Sequence, residues 1–223
     1  MMEAIALFGG SFNPSTRRHL EIGLELLAQL PITAVWYLVS PQNPFKSTNG
    51  MAPFDDRMAM ARLNVMSERR LVVTDIEARY AQAAERATLH TAETLSRLRA
   101  DYPKIRFFWV VGADNFTTMH TWDGYRDIIA HHPLILVPRD ETEKAIVSSP
   151  LARELPQLSK AQDTQGNMGW FQLSIQPSSV NATACRKQLA DDIWPAELRA
   201  GVARYALRCG VYRSSFTSTA HNL

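Results

Sequence analysis

The sequence predicts an α/β protein built on a doubly wound, mostly parallel sheet. Two observations predict it. Short runs rich in Val, Ile, Phe and Trp recur along the chain, and they are nearly continuous in apolar residues, the pattern of strands buried on both faces of a sheet. Between them lie stretches of helical periodicity, and strand-helix-strand alternation with right-handed crossovers builds a parallel sheet. Ligands of such sheets sit beyond the carboxyl ends of the strands, so the residues just after each apolar run are the ones to read for chemistry.

The first strand is EAIALF (3–8), which opens onto Gly9-Gly10. HLEIGLELLAQL (19–30) follows as a helix, with Leu20, Gly23, Leu24, Leu27 and Leu30 as its apolar stripe. AVWYLVS (34–40) is the second strand. FDDRMAMARLNVM (54–66) places Phe54, Met58, Ala61 and Val65 at helical spacing, and Asp55-Asp56 suits its positive start. RLVVTDIE (70–77) is the third strand, and TAETLSRLRADYP (91–103) is a helix stopped by Pro103. IRFFWVVG (105–112), PLILVPR (133–139) and WFQLSI (170–175) complete the strands. Residues 140–169 are polar and mixed, and read as a helix plus a mobile loop. From about residue 178 the chain is helical again, with a break at Trp194-Pro195, and RSSFTSTAHNL (213–223) reads as a flexible tail. The expected organisation is a single Rossmann-like domain over 1–212 with a small C-terminal helical portion from about 178.

Composition narrows the function classes. A net charge of +2 on 223 residues argues against a protein that coats a nucleic acid polymer. Cys185 and Cys209 are the only cysteines, too few for a disulfide framework or a four-thiolate metal site. The chain contains no apolar run near the ~18–20 residues of a membrane helix, and the N-terminal run lacks the basic flank of a signal peptide. A cytoplasmic protein with no membrane partner is expected; a homo-oligomer is left open. His120, His131 and His132 are loosely spaced and read as helix-end or surface residues rather than metal ligands. Cys185 reads as a small packing residue.

GGSFNPSTRRHL (9–20) lies at the carboxyl end of the first strand. Gly9 and Gly10 let the backbone approach a ligand, Pro14 stiffens the turn, and Thr16 reads as the helix N-cap with His19 on the same face of the first turn. The dipole and free N–H groups there favour an anion, most naturally a phosphate. Arg17, Arg18 and His19 on a helix start are each locally unfavourable by ~0.3–1 kcal/mol, which a bound polyphosphate would reverse. The plainer alternative is the ordinary first loop of a doubly wound protein with surface arginines. The loop lacks the third glycine of a dinucleotide fingerprint and the Gly-Lys-Ser/Thr of a P-loop.

These residues resemble the first signature of a nucleotidyltransferase superfamily, Gly-Gly-(Ser/Thr)-Phe-(Asp/Asn)-Pro-x-(His/Thr)-x-Gly-His. Thr16 takes the His/Thr position, His19 the final His, and Arg18 stands where the pattern has Gly. Further segments follow in family order: SPQNPFK (40–46) resembles Asn-Pro-Leu-Lys, TLHTAETL (88–95) resembles Ser-Tyr-Thr-x-x-Thr-Leu, VVGADNFTTMHTWDGYRDI (110–128) resembles the Gly-Ala-Asp run with its Trp turn, and VNATACRKQL (180–189) resembles Ile-Ser-(Ser/Ala)-Thr-x-x-Arg with Asn181 in place of Ser. The NPFK segment and the TWDGY turn are most similar to the adenylyltransferases of nicotinate mononucleotide. The resemblance implies transfer of AMP from ATP to that mononucleotide with Mg²⁺ as cofactor, the metal held by phosphate and water rather than by protein ligands. It implies His19, Thr16 and Arg186 as the catalytic set, and Gly9, Gly10, Ser11, Phe12, His19, Asp114, Thr183 and Arg186 around ATP. It implies Asn13, Lys46, Thr91 and Trp122 around the mononucleotide, with Trp122 stacked on the pyridine ring. The rivals are an adenylyltransferase for nicotinamide mononucleotide or for another phosphorylated acceptor such as phosphopantetheine, and a non-catalytic nucleotide-binding regulator.

Overall fold

The computed structural model describes residues 3–41, 50–139, 143–178 and 180–213. Six strands form one sheet: β1 Glu3–Gly10, β2 Ala34–Val39, β3 Leu71–Thr74, β4 Ile105–Gly112, β5 Leu134–Val137 and β6 Trp170–Gln172. Their order is β3-β2-β1-β4-β5-β6, and each neighbouring pair runs parallel. β1 is central, with Phe8 paired to Tyr37 on one side and to Val110 on the other. The chain winds outward from β1 in one direction, then returns to start β4 on its other side. That reversal opens a crevice beyond the carboxyl ends of β1 and β4, where Gly9-Gly10 and Gly112 lie.

Ten helices flank the sheet among the described residues: α1 Arg17–Gln29, α2 Phe54–Val65, α3 Ile76–Ala83, α4 Thr91–Asp101, α5 Ala113–Thr118, α6 Tyr125–His131, α7 Glu143–Val147, α8 Pro150–Glu154, α9 Ala182–Ala190 and α10 Ala200–Arg208. One face of the sheet packs Leu7, Trp109, Val111 and Trp170 against Leu95, Phe116 and Ile128. The other packs Ala6, Tyr37, Phe108 and Ile135 against Leu26, Met58 and Ala61. A third cluster joins Met60 of α2 to Leu189 of α9, Val202 of α10 and Tyr212. Burying a large apolar side chain of this kind contributes ~1.5–3 kcal/mol, so α9 and α10 are seated on α2 by apolar packing.

Three expectations need correcting. The third strand stops at Thr74, because the Thr74 hydroxyl accepts the Ile76 N–H at 3.2 Å and turns Asp-Ile-Glu into the start of α3. The inner face of α1 is Ile22, Gly23 and Leu26, while Leu24 is 43% exposed. The helix is rotated because it sits on Tyr37, whose hydroxyl donates to the His19 carbonyl at 2.8 Å; a Cβ at Gly23 would collide with that hydroxyl. Residues 143–169 hold two short helices and a 3₁₀ turn, Ala161–Gln165, rather than one helix and a loop. Leu158 N–H donates to the Trp170 carbonyl and Trp170 N–H to that of Pro156, which places this segment at the amino end of β6, away from the crevice. The expected tail lies outside the described residues from 214 onward.

Candidate active site

A cleft of about 720 Å³ opens at the carboxyl ends of β1, β4 and β5. Gly9, Gly10, Ser11, Phe12, Asn13, Thr16, His19, Asp114, Trp122, Thr183 and Arg186, expected at the site from sequence, all line it. Thr91 does not. It opens α4, whose Ala92 abuts Gly124, and His90 Nε2 lies 3.6 Å from Asp123 Oδ2, so the start of α4 braces the turn that carries Trp122. Lys46 lies outside the described residues.

The first loop builds a histidine of fixed tautomer. Thr16 is the N-cap of α1 and His19 is its third residue. The Thr16 N–H points at His19 Nδ1 at 2.9 Å, and Thr16 Oγ1 lies 2.9 Å from the same nitrogen. A backbone N–H can only donate, so Nδ1 is the acceptor and the neutral ring carries its proton on Nε2. Phe12 packs edge-on against the ring at 5.0 Å between centroids, and Phe8 lies at 6.0 Å. This surrounding, together with the Arg139 charge, pushes the imidazole pKa down to about 4. In the free protein at neutral pH, His19 is an uncharged donor. Thr16 is 1% exposed and its hydroxyl is engaged with the ring. It holds His19 in place. Phe12 is 2% exposed, with its side chain packed in the core beneath the cleft.

Three arginines line the cleft, Arg18, Arg139 and Arg186, and among the described lining residues Asp114 is the one carboxylate. Arg186 reaches from α9 to the Asn13 carbonyl at 2.9 Å and to the Thr183 hydroxyl at 2.9 Å, while its Nε is buried without a partner. Arg139, two residues after β5, lies 3.7 Å from Asp114 Oδ1. The paired charges of the first turn have separate tasks. Arg17 docks the approach to α10, its Nε near the carbonyls of Ala196 and Leu198 at 3.1 and 3.0 Å. Arg18 holds the Gln176 carbonyl at 2.5 Å and pairs with Glu21 at 3.4 Å. Arg17 is absent from the lining, so its charge is explained by this docking without any phosphate.

Asn181 caps α9, accepting the N–H groups of Thr183 and Ala184 at 2.8 and 3.4 Å. The carboxamide of Asn13 is likewise engaged within the chain. Its oxygen accepts from Ala52 N–H at 3.0 Å and Tyr212 O–H at 2.9 Å, and its nitrogen donates to the Gly50 carbonyl at 3.0 Å. In the free chain the Asn13 carboxamide thus ties the first loop to Gly50–Ala52 and Tyr212.

Sequence reasoning missed Arg57, Arg139 and Trp109. Arg57 is 1% exposed and donates to the carbonyls of Ala52, Ser11, Ser40 and Pro41 at 2.7–3.0 Å, tying the loop after β1 to the loop after β2. No local pattern marks such an arginine. Arg139 had a signal: it follows a strand, on the side where ligands bind. Trp109 also lines the cleft, and a Cβ at Gly9 would stand 2.7 Å from its indole, so the first glycine is required by packing. His132 is 1% exposed rather than a surface residue. Nδ1 lies 3.1 Å from the Phe107 carbonyl and Nε2 lies 3.2 Å from Arg99, which fixes a neutral ring with its pKa lowered to about 4 by burial. No cluster of metal-ligating side chains occurs among the described residues, and no helix there is long and apolar enough to cross a membrane.

A family model described as cytidylyltransferase-like matches residues 7–188. A protein of Erythrobacter litoralis named "Probable nicotinate-nucleotide adenylyltransferase" is 37% identical over 202 residues, 88% of each chain. One of the same name from Rhizobium meliloti is 34% identical over 82% of this chain and 97% of its own. Among solved structures, Plasmodium falciparum nicotinic acid mononucleotide adenylyltransferase complexed with NaAD superposes with a TM-score of 0.71 at 18% identity, covering 95% of this chain and 98% of that one; this likeness speaks to the fold. Motif order, sheet order and these relatives converge, and the chain belongs to the cytidylyltransferase-like family, among the nicotinate-nucleotide adenylyltransferases.

Proposed function

We propose that this chain transfers AMP from ATP to the phosphate of nicotinate mononucleotide, giving nicotinate adenine dinucleotide and pyrophosphate in NAD biosynthesis. The observation that carries the mechanism is the His19 ring, locked by Thr16 with Nε2–H as its free donor on the wall of a cleft that also holds three arginines. The attacking phosphate monoester has its second pKa near ~6 and is already a dianion at neutral pH. No general base is needed. One of its oxygens forms a bond to the α-phosphorus of ATP, and the bond from that phosphorus to the bridging oxygen breaks, releasing pyrophosphate.

The work left to the protein is alignment and charge stabilisation. His19 Nε2–H donates to the phosphate oxygens. Nδ1 stays unprotonated because it accepts the Thr16 N–H, so the ring acts as a neutral donor with its pKa held down to about 4 by burial and Arg139. Arg186 and Arg139 bring their guanidinium charges to the same phosphates. Trp122 stacks on the pyridine ring. The lining fits Mg²⁺ bound by phosphate oxygens and water, since such ions commonly take few protein ligands and the described lining offers Asp114 alone. When bound, the ion neutralises phosphate charge. A reducing, cytoplasmic setting suits the two free thiols.

The test is an assay of pyrophosphate release and dinucleotide formation with Mg-ATP and nicotinate mononucleotide, against nicotinamide mononucleotide and phosphopantetheine. Dinucleotide formation with the nicotinate compound is expected to exceed that with the others. Tight ATP binding with turnover on none of them would overturn the reading.

A further inference from the structure

We propose that Tyr212 is a positioning residue that acts through Asn13 to hold the two sides of the cleft in register. The tyrosine lies near the end of the described chain and is 1% exposed, packed in the cluster of Met60, Cys185, Leu189 and Val202. Its hydroxyl crosses 199 residues of sequence to reach Asn13 Oδ1 at 2.9 Å. Asn13 is the meeting point of four segments. Its carboxamide oxygen has both acceptor sites filled, by Tyr212 and by the Ala52 N–H. Because a backbone N–H fixes which end is oxygen, the nitrogen faces the Gly50 carbonyl and donates to it at 3.0 Å. Its main-chain carbonyl accepts from Arg186 at 2.9 Å. Gly50, at φ +74°, lies close enough that a Cβ there would be 3.6 Å from Arg186 Nε, and Met51 lines the cleft beside it.

The consequence is mechanical. The second loop, at Gly50–Ala52, and the phosphate-side arginine of α9 are referenced to one side chain in the first loop, and that side chain is oriented from the C-terminal helical portion. Removing the Tyr212 bond leaves the carboxamide held by Ala52 and Gly50 alone, which loosens Asn13 between the Gly50–Ala52 segment and Arg186. Because Asn13, Met51 and Arg186 all line the cleft, substrate binding should weaken while the chemical step, set by His19, changes little.

This inference rests on the proposed transfer reaction for its kinetic arm only. The experiment compares Tyr212→Phe with Tyr205→Phe. Tyr205 sits in the same helical portion and donates to Asp56 at 2.7 Å, so it is a matched loss of one hydroxyl away from the loop. Thermal unfolding, steady-state kinetics at 15 °C and the Kd for Mg-ATP alone are measured on both. For Tyr212→Phe, the expected result is a rise of about three- to tenfold in KM for each substrate and in the Kd for ATP, the range of one net hydrogen bond, with kcat within about twofold. Tyr205→Phe should lower the Tm comparably and leave KM and Kd unchanged. Tyr212→Phe with KM and Kd within about twofold of the parent would overturn the proposal, because a purely structural tyrosine moves only the Tm. Should transfer to every acceptor be absent, the Kd for Mg-ATP alone still decides the question.

Discussion

Two helix starts line the cleft, and they are built oppositely. At α1, the cap residue Thr16 directs its N–H and hydroxyl onto His19 Nδ1, and the outcome is a ring whose other nitrogen is free to donate. At α9, the cap residue Asn181 turns inward on its own helix and takes the N–H groups of Thr183 and Ala184. From sequence both read as anion sites of the same kind, each with a polar cap, a dipole and a nearby cation. The difference lies in who holds the donors. At α1 the cap creates a donor for the ligand; at α9 it occupies two, and the cationic contact falls to Arg186. Helix-start geometry is therefore a permissive condition, and the partner of each N–H decides whether a phosphate finds it empty.

The sharpest way to break this contrast is to remove the α1 donor. His19→Ala should lower kcat by about a hundredfold or more, in the range seen when a single charge-stabilising donor is deleted, while the Tm stays close to the parent's. Near-normal turnover in a pyrophosphate-release assay would sink the role. Thr16→Val should cost only about threefold in kcat, because Nδ1 loses the hydroxyl beside it while the backbone N–H at position 16 still fixes the tautomer; Thr16→Ser should recover most of it. The ¹⁵N shifts of His19 in the free protein report the tautomer directly, and a ring already mixed in the parent would contradict the assignment.

The two depressed histidines extend the comparison from the cleft to the core. Both have folded pKa values near 4, below the ordinary 6.5 of an unfolded chain. The unfolded state therefore binds more protons between those values, so the stability each ring allows is full above about pH 6.5 and is lost as pH falls toward 4. For His132, which is 1% exposed, this amounts to about 2 kcal/mol between pH 7 and pH 5. Glu77 works in the other direction. Burial holds its carboxyl up at about 7, so its contribution fades as pH rises from 4.5 to 7. Replacing His132 by Asn isolates its share: the difference in urea-unfolding free energy between pH 7 and pH 5 should shrink, whatever the variant's absolute stability. Saturating Mg-ATP should change the pH dependence contributed by His19 and leave that of His132 untouched, since only His19 lines the cleft.

Much of this was legible in the sequence, for a physical reason. Strands buried on both faces announce themselves as continuous apolar runs, so β1, β2 and β4 fell within two residues of where the pattern put them. Gly9 and His19 were legible from the end of β1 and the start of α1, while Asp114 and Arg186 came from the family resemblance; all four line the cleft. Periodicity was less informative about rotation. On α1 the stripe correctly held Gly23, which sits on Tyr37, but put Leu24 inward where Ile22 and Leu26 are buried instead. What could not be read was pairing between a side chain and a distant carbonyl. Arg57 donates to carbonyls of Ser11 and Pro41, and Tyr212 to Asn13, through loops whose path no propensity encodes. The same blindness left the role of Arg17 open, when its guanidinium docks onto the Ala196 and Leu198 carbonyls.

The smallest effect is the most informative about the opening contrast. Asn181 replaces the serine of the family pattern, and the natural question is whether it supports phosphate binding or competes with it. Removing a cap side chain costs about 1 kcal/mol of stability, so Asn181→Ala should lower the Tm by a few degrees. If Asn181 only occupies donors, the same change releases the N–H groups of Thr183 and Ala184 for the ligand, and the KM for ATP should hold steady or fall slightly. If instead its carboxamide binds phosphate, the KM should rise about threefold or more. The present geometry favours the first outcome, because Asn181 Oδ1 lies 2.8 Å from Thr183 N and is committed to the helix before any substrate arrives. Asn181→Ser completes the test. A serine retains the capping bond, so it should restore the Tm, and a KM for ATP unchanged from the parent would show that α9 contributes its arginine to the site rather than its dipole.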